Sequence, residues 1–298
     1  MKRLSTGDRV FVSVNYFFLG IIFFLVIAPL LFVIAASFSN ADDVILGRVW
    51  FWPVNFHLEA YREIFTHNAI MIGYRNSLFY TSVGSFINIT LTICAAYPLS
   101  RKDLKGRNVI MMMMLFTMYF SGGLIPHFMN IRNLRLIDTV WVMWFPVAIS
   151  TFNVIIMKTF FQNSIPQELS EAAVLDGCSN IKLLVRVILP LSKAVISVLI
   201  LFYAVSHWNS FFNALLFLHN RDLFPLQLIL REVLIMGRPL DTGAVMTIED
   251  AVTYAEQMRR AELLRYAVIV VASVPLLMVY PFIQKYFTQG IMIGSVKG

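Results

Sequence analysis

Long apolar runs, separated by short polar segments, dominate the pattern of hydrophobic and polar positions along this chain. Six runs approach or exceed the ~20 predominantly apolar residues that a helix needs to cross a bilayer. They cover residues 16–36, 77–99, 109–128, 139–157, 194–218 and 266–283. The third and fourth contain Gly122, Gly123, Pro126 and Pro146, breakers that membrane helices tolerate where neighbouring helices satisfy the freed backbone groups. The pattern predicts an all-α membrane protein with six transmembrane helices.

The composition supports a lipid environment. Hydrophobic residues make up 58% of the 298-residue chain, charged residues 14%, and the mean hydropathy is +0.73. A soluble domain carries about a quarter of its residues charged. The first run follows Lys2 and Arg3, as a signal peptide would. It is longer than the roughly 7–15 apolar residues of a signal and has no small-residue cleavage site after it, which predicts an uncleaved first span.

The basic residues predict an orientation. With six spans, four segments share one side of the membrane: residues 1–15, 100–108, 158–193 and the C-terminal residues that follow the sixth span. This side holds all eight lysines, and it carries 13 basic and five acidic residues. The positive-inside rule then predicts that both termini are cytoplasmic. The net charge of +7 follows from this topology and requires no nucleic-acid partner.

The same pattern divides the chain into three parts. Residues 1–15 form a cytoplasmic N-terminal segment, residues 16–286 the six-helix domain, and residues 287–298 a cytoplasmic tail. Within the six-helix domain, 158–193 is the long cytoplasmic loop, and the external loops are 38–76 and 219–265.

Motifs for catalysis and nucleotide binding are missing from the sequence. It contains no G-x-x-x-x-G-K-[ST], no H-E-x-x-H and no G-x-S-x-G. The five histidines are scattered singly, whereas a zinc site needs several ligands at compatible spacing. Cys94 and Cys178 form no disulfide framework. We therefore expect no catalytic residue, no metal and no cofactor in this chain.

The polar stretch ELSEAAVLDGCSNIKLLVRVILPL, residues 168–191, begins with a predicted helix on the cytoplasmic side. Ser164 and Gln167 have the spacing of a capping box before it. Glu168 and Glu171 lie near its positive end, where carboxylates are stabilised. Gly177 is well placed to end it.

A second helix, over residues 180–189, follows Ser179 as its cap and runs into Pro190. A slim helix with small and acidic residues fits a groove in another protein. It equally fits an amphipathic helix that lies on the membrane surface. The physical properties of the residues favour neither alternative.

The residues Glu171-Ala172-Ala173, then Asp176-Gly177, then Ile188-Leu189-Pro190 resemble the EAA signature of ABC-importer permease subunits. The spacing EAA-x-x-D-G-x(10)-I-L-P is similar to that of the carbohydrate-uptake group. The C-terminal QKYFTQGIMIGSVKG and the aromatic start of the first external loop are similar to that group too, so the resemblance covers nearly the whole chain. Within the group it resembles permeases of complex-polysaccharide and pectic-oligosaccharide importers.

This resemblance implies the type I ABC-importer permease fold (MetI-like) with a cytoplasmic coupling helix that docks on an ATPase. Glu171 would contact the ATPase, and Ala172 and Ala173 would permit close approach. Gly177 would make the turn, and Pro190 would set the bend into the fifth span. The remaining members of the coupling set are Glu168 and Asp176.

The resemblance also implies partners. They are a second homologous permease, a dimer of cytoplasmic ATP-binding subunits that hold ATP and Mg, and an extracellular or periplasmic sugar-binding protein. The chain would be a non-catalytic subunit in the membrane of a bacterial cell, forming half of the path for an oligosaccharide. The segment 218–265 is longer and more polar than this core requires.

The external loops carry two further features. Trp50, Trp52 and Phe56 surround Pro53 in the first loop, and form either an interfacial aromatic belt or part of a docking surface. In the last loop, residues 247–265 predict a helix that begins at Thr247 and caps the next span from outside, because acids precede arginines along it.

Polar and aromatic residues in the fifth span are candidates for the substrate path. Tyr203 and His207 are helix neighbours, as are Asn209 and Asn213. Such groups offer faces and hydrogen bonds to sugar rings. The members of this set are Tyr203, His207, Trp208, Asn209 and Asn213, with Asn153 and Tyr119 as weaker candidates. Alternatively, Trp208 anchors at the outer interface and the asparagines bond neighbouring helices.

Three alternatives to an oligosaccharide importer remain at this stage. The same fold could import another solute, such as a peptide or an osmolyte. An integral-membrane enzyme would need catalytic groups at one membrane depth, and the sequence shows none. The predicted span centres contain no acidic residue and the halves show no inverted repeat, which disfavours a secondary transporter.

Overall fold

The computed structural model describes residues 5–236 and 248–295. These residues form helices joined by short irregular segments, which confirms the all-α prediction. The α-helices are α1 (Thr6–Ser37), α2 (Ala41–Ile45), α3 (Glu59–Thr66), α4 (Asn68–Ser100), α5 (Arg107–Tyr119), α6 (Leu124–Asn133), α7 (Thr151–Ser164), α8 (Gln167–Leu175), α9 (Asn180–Leu183), α10 (Leu189–Leu191), α11 (Lys193–Trp208), α12 (Phe212–Phe217), α13 (Leu226–Met236) and α14 (Ile248–Ser295). The 3-10 turns are Val140–Met143, Phe145–Val147 and Arg221–Leu223, and Leu184–Ile188 is a π-helix.

Two unbroken helices among the described residues are long and apolar enough to cross a membrane. They are Gly7–Ser37 and Asn68–Ser100, at the first and second predicted spans. Three bent pairs raise the count to five if each pair is one span. The apolar stretch Leu264–Val279, shorter than these, falls in the sixth predicted span. The total of six spans stays a prediction.

The bends fall at residues that break helices. α5 and α6 meet at 113°, across the predicted breakers. There Gly123 has φ +86° and Phe120 is extended. The fourth predicted span begins as 3-10 turns around Pro146 and then turns by 53° into α7. Since Gly and Pro disrupt helical hydrogen bonding, each predicted single span becomes two segments.

The C-terminal helix differs from its prediction. We expected a separate external helix before the last span and a tail from 287 onward. Instead α14 is continuous over 48 residues and contains Pro275 and Pro281. No Gly or Pro lies between the two predicted helices, at Arg265 and Tyr266, so nothing ends the first one. The predicted cap, Thr247, lies outside the described residues.

The chain divides into two units. The first consists of Met1–Met71 and Leu230–Val274, as far as these residues are described. Its small core contains Ala35, Ala36 and Val49. Phe32 and Tyr266 pack against this core, and their two rings meet edge to face with centroids 5.6 Å apart. α1 carries this core at its C-terminal end.

The second unit consists of Ile72–Ile229 and Pro275–Gly298, as far as these residues are described. It has two hydrophobic clusters. One cluster joins α4 and α7 to the segment around α9, and its fully buried members include Leu183, Met157 and Leu199. The other surrounds Trp144 and Phe217. The clusters hold the fifth predicted span against α4.

A carboxylate ties two predicted external segments of this unit together. The Asp138 Oδ1 accepts hydrogen bonds from the backbone N–H groups of Asn220 (2.8 Å) and His219 (2.9 Å). These bonds hold the pKa of Asp138 below its usual value. Its own backbone has φ +58°, a conformation that Asp tolerates better than most residues.

Candidate functional site

The segment that carries the EAA signature begins at the end of α7. Ser164 is the last residue of α7, Ile165 is extended, and α8 starts at Gln167. The predicted capping box is therefore wrong, because a capping residue must directly precede its helix. The reason is Pro166, which keeps the residue before it out of helical geometry and delays the new helix.

The end of α8 follows the prediction. Gly177 has φ +70°, and the N–H of Cys178 donates to the carbonyl of Ala173 at 2.9 Å. This pair is the signature of a Schellman turn, whose left-handed position favours glycine. The predicted second cap is present as well, since the Ser179 hydroxyl accepts from the N–H of Lys182 at 3.4 Å. The chain thus turns sharply from α8 into α9.

The coupling set lies mainly on the surface of this chain. Glu168, Glu171, Ala172, Asp176 and Gly177 are exposed. Ala173 is half-buried and packs against the cluster around Leu183. Leu175, at the end of α8, leaves 88% of its surface exposed. α8 therefore presents carboxylates and apolar surface outward.

A cavity of about 910 Å³ lies beside α8, and Glu171 and Leu175 form part of its wall. The lining of the same cavity also includes a basic group that sequence reasoning missed. Arg101 donates from Nε and Nη2 to the Asp103 carboxylate at 2.9 and 3.1 Å, and Arg107 donates to the Arg101 carbonyl at 3.0 Å. The bonds between Arg101 and Asp103 raise the pKa of Arg101 and lower that of Asp103. The lysines and arginines of loop 100–108 are the sequence feature that could have indicated this basic group.

Behind α8 the segment is anchored. Leu183 is fully buried and Ile188 nearly so, both in the cluster with α4 and α7. The Tyr97 hydroxyl of α4 donates to the Asn180 carbonyl at 3.4 Å. The amide of Gln162 donates to the carbonyl of Ser100 at 3.2 Å. Side-chain packing and hydrogen bonds therefore connect both α9 and the end of α7 to the end of α4.

The path from α9 to α11 is irregular. The π-helix Leu184–Ile188 precedes α10, which contains Pro190. The axis then turns by 83° between Asn180–Leu191 and Lys193–Trp208. The break falls at Ser192, which is completely buried. A π-helix is rare and is frequent at functional sites.

The predicted substrate-path residues fall into two groups. Tyr203, His207, Trp208 and Asn153 are buried within the chain. By contrast, Asn209 and Tyr119 are exposed and Asn213 is half-buried. Their contact with substrate stays a prediction.

The buried members have partners in this chain. The Tyr203 hydroxyl is 2.7 Å from the Thr92 hydroxyl, and Trp208 meets Tyr74 edge to face at 5.7 Å. The amide of Asn209 donates to the Val205 carbonyl of its own helix at 3.0 Å.

Asn88 is a structural residue that sequence reasoning missed. Its amide nitrogen donates to the carbonyls of Val147 (2.6 Å) and Ala148 (2.9 Å), and its Oδ1 lies 2.6 Å from His207 Nε2. Since the Asn88 oxygen can only accept, Nε2 of His207 is the protonated nitrogen. Beside them Gly84 has no side chain, and a Cβ there would lie 2.5 Å from the His207 ring. The polarity of Asn88 within an apolar span is the only sequence feature that could have indicated its structural role.

Comparisons with known proteins complete this description. No family model matches the chain. Protein LplC of Bacillus subtilis (strain 168) is 41% identical over 294 residues, which are 99% of this chain and 97% of that protein. The polygalacturonan/rhamnogalacturonan transport system permease protein YtcP of the same organism is 40% identical over 291 residues, which are 98% of this chain and 99% of that protein.

A solved structure has the same fold. It is the crystal structure of a bacterial ABC transporter involved in the import of the acidic polysaccharide alginate. The TM-score is 0.84 and the identity 31%, with 96% of this chain and 100% of that chain covered. Sequence and fold together define a membrane permease subunit of an ABC importer. Within that class, the chain belongs to the family of carbohydrate-import permeases.

Proposed function

We propose that this chain forms half of the translocation path for an oligosaccharide and that a cytoplasmic ATPase moves it through α8. The observation that carries the proposal is the combination of an outward-facing α8, with the EAA residues Glu171–Ala173, and an anchored α9. A partner that pulls on the exposed helix would move residues buried in the bundle. The six-span topology with both termini in the cytoplasm of a bacterial cell belongs to this proposal.

The partners follow from the same proposal. A second homologous permease completes the path, and an extracellular or periplasmic binding protein delivers the sugar. A dimer of ATP-binding subunits holds ATP and Mg, and this chain supplies no catalytic group. The sequence supports this division of labour, since it contains no P-loop.

The substrate proposed is an acidic oligosaccharide. Polygalacturonan, after which the relative YtcP is named, and alginate, which the structurally similar transporter helps to import, are both acidic polymers. In the second unit, Arg75, Arg132 and Arg135 have exposed side chains and lie on the predicted external side. Arginine pairs with carboxylates in a fork geometry, so these residues suit a substrate that carries carboxylates.

Transmission of force is proposed to run from α8 through α9 and the π-helix to α11. Leu183 packs in the cluster with α4 and α7, and Tyr97 bonds the backbone of α9. Because packed interiors deform little, a displacement of α8 would be passed on rather than absorbed. The bend at Ser192 then changes its direction into the fifth predicted span.

The test is co-purification of the assembled importer in detergent. Wild type is compared with Glu171→Lys and with Glu59→Lys, which reverses an exposed carboxylate on the predicted external side. We expect ATPase activity to copurify with wild type and the control, and to fall at least tenfold in Glu171→Lys. Equal recovery from all three, with each variant folded, would show that α8 is not the docking helix.

A second measurement tests the substrate. Uptake of labelled oligogalacturonate is compared with uptake of a neutral oligosaccharide of the same length. We expect saturable, ATP-dependent uptake of the acidic chain only. Preference for the neutral chain would reject the substrate, and uptake that survives ATP depletion would reject the coupling mechanism.

A further inference from the structure

A groove of about 510 Å³ lies between α1 and the loop that follows it. Ala28, Pro29 and Phe32 form one wall, and Val49, Trp50 and Phe51 form the other. These side chains are hydrocarbon, apart from the indole N–H of Trp50. A sugar needs directional hydrogen bonds, which this lining does not supply.

The loop holds its aromatic residues firmly. The buried carboxylate of Asp43 accepts from Arg48 Nη1 at 3.2 Å and from the Asn55 amide at 2.7 Å. The Ser39 hydroxyl donates to the Ala35 carbonyl at 2.7 Å and accepts from the N–H of Val54 at 3.0 Å. The groove is therefore a built feature.

The position of the groove along α1 locates the membrane surface. With 32 residues, α1 is about 48 Å long, well beyond the ~30 Å hydrocarbon core. Irregular backbone does not occur exposed to lipid within that core. The loop that packs beside Pro29 must therefore lie at the membrane surface.

The other end of α1 agrees with this depth. A helix needs about 20 residues to span ~30 Å. The apolar stretch of α1 begins at Val10, about that number of residues before Pro29 and directly after Asp8 and Arg9. None of the residues in the most apolar window of this helix is buried in the chain. A hydrocarbon core over residues 10–29 fits both ends of α1 and ends inward of the expected residue 36.

We propose that this groove binds a phospholipid of the outer leaflet, with an acyl chain between Phe32 and Phe51. One wall of the groove belongs to α1, whose most apolar window contains no buried residue. Trp50 and Trp52 are 67% and 82% exposed, at the level where tryptophan prefers to lie in a bilayer. Arg48, between two loop residues of the groove, is exposed where the phosphate of the headgroup would lie.

Native mass spectrometry of the full-length protein after partial delipidation tests this site. Ala28→Phe and the milder Ala28→Leu fill the groove, whereas Leu30→Phe enlarges an exposed position of α1 that does not line it. We expect wild type and Leu30→Phe to retain one phospholipid per protein. The two Ala28 variants should retain at least fivefold less phospholipid. Equal retention by all four proteins would overturn the proposal.

Fluorescence in bilayers with brominated phosphatidylcholine provides a second test. The contribution of Trp50 is the difference between wild type and Trp50→Phe. We expect strong quenching by bromine near the headgroup end of the acyl chain and at most half as much by bromine near its methyl end. Absence of quenching would mean that no acyl chain lies against Trp50. Quenching that disappears when the second permease binds would mean that protein covers the groove. Either result would overturn the proposal.

Discussion

Replacing Asn88 with leucine should destabilise the bundle strongly. The change removes two bonds to the Val147 and Ala148 carbonyls and one to His207. Hydrogen bonds between membrane helices average about 0.6 kcal/mol each, with a maximum near 1.7. Stranding the buried imidazole adds about 1 kcal/mol. We therefore expect Asn88→Leu to lower the free energy of unfolding by about 2–4 kcal/mol.

A double-mutant cycle with His207→Phe tests the reasoning. Because both single changes break the same bond, the two losses should not add, and the coupling energy should be about 1 kcal/mol. Unfolding in mixed micelles at increasing SDS fraction measures each value. Asn209→Leu is the control, since the amide of Asn209 bonds only within its own helix among the contacts described. We expect it to change stability by less than about 0.5 kcal/mol.

Two results would refute this account. A coupling energy near zero would mean that Asn88 and His207 act independently. A normal unfolding curve for His207→Phe, with a higher KM for sugar uptake, would mean that His207 serves the substrate rather than the bundle. The experiment thus separates the two alternatives for the fifth span.

Three further perturbations follow from glycine geometry and charge. Gly84→Ala should lower the free energy of unfolding by about 1–3 kcal/mol, because its Cβ would clash with the His207 ring. Gly20→Ala is the control and should be neutral, since nothing lies within 4 Å of its Cβ. Equal melting temperatures of the two variants would contradict this. Gly177→Ala should strain the end of α8 by about 1–2 kcal/mol and reduce ATPase recovery. Gly177→Asn should be closer to wild type, because asparagine tolerates the left-handed conformation better than alanine. Higher recovery with alanine than with asparagine would contradict this reasoning. Asp138, with its lowered pKa, should stabilise the fold above pH ~4, and this contribution should vanish as pH falls through the folded pKa. Unfolding curves from pH 6 to 3 should then show the wild type losing stability relative to Asp138→Asn, and parallel curves would contradict it.

The sequence predicted what depends on local chemistry. Apolar run length located α1 and α4, and the demand for a left-handed residue placed the end of α8 at Gly177. Ser179 was recognised as a cap for the same reason, since capping involves only the next three residues. The wrong prediction at Ser164 has a local cause too, because Pro166 keeps Ile165 out of helical geometry.

What the sequence did not predict depends on contacts between distant residues. Asn88 and His207 are 119 positions apart, and nothing in either neighbourhood indicates the other. Gly122 and Gly123 announced a break between α5 and α6, but the angle of 113° depends on what the two segments pack against. The single helix α14 is an exception, because its local cause, the absence of Gly and Pro before the last span, lies in the sequence itself.

The π-helix at Leu184–Ile188 overlaps the ten residues between the two halves of the EAA signature and gives their number a structural role. Each residue of an α-helix turns the chain by about 100°, and a π turn accommodates one residue more than an α turn. Deleting one residue there would restore regular helix with little rotation of α8. Inserting one residue, with no second π turn to absorb it, would rotate α8 and its carboxylates by about 100° around the axis that leads to the fifth span. The length of this spacer therefore acts as an angular setting, and an insertion should misalign α8 even when every signature residue is retained.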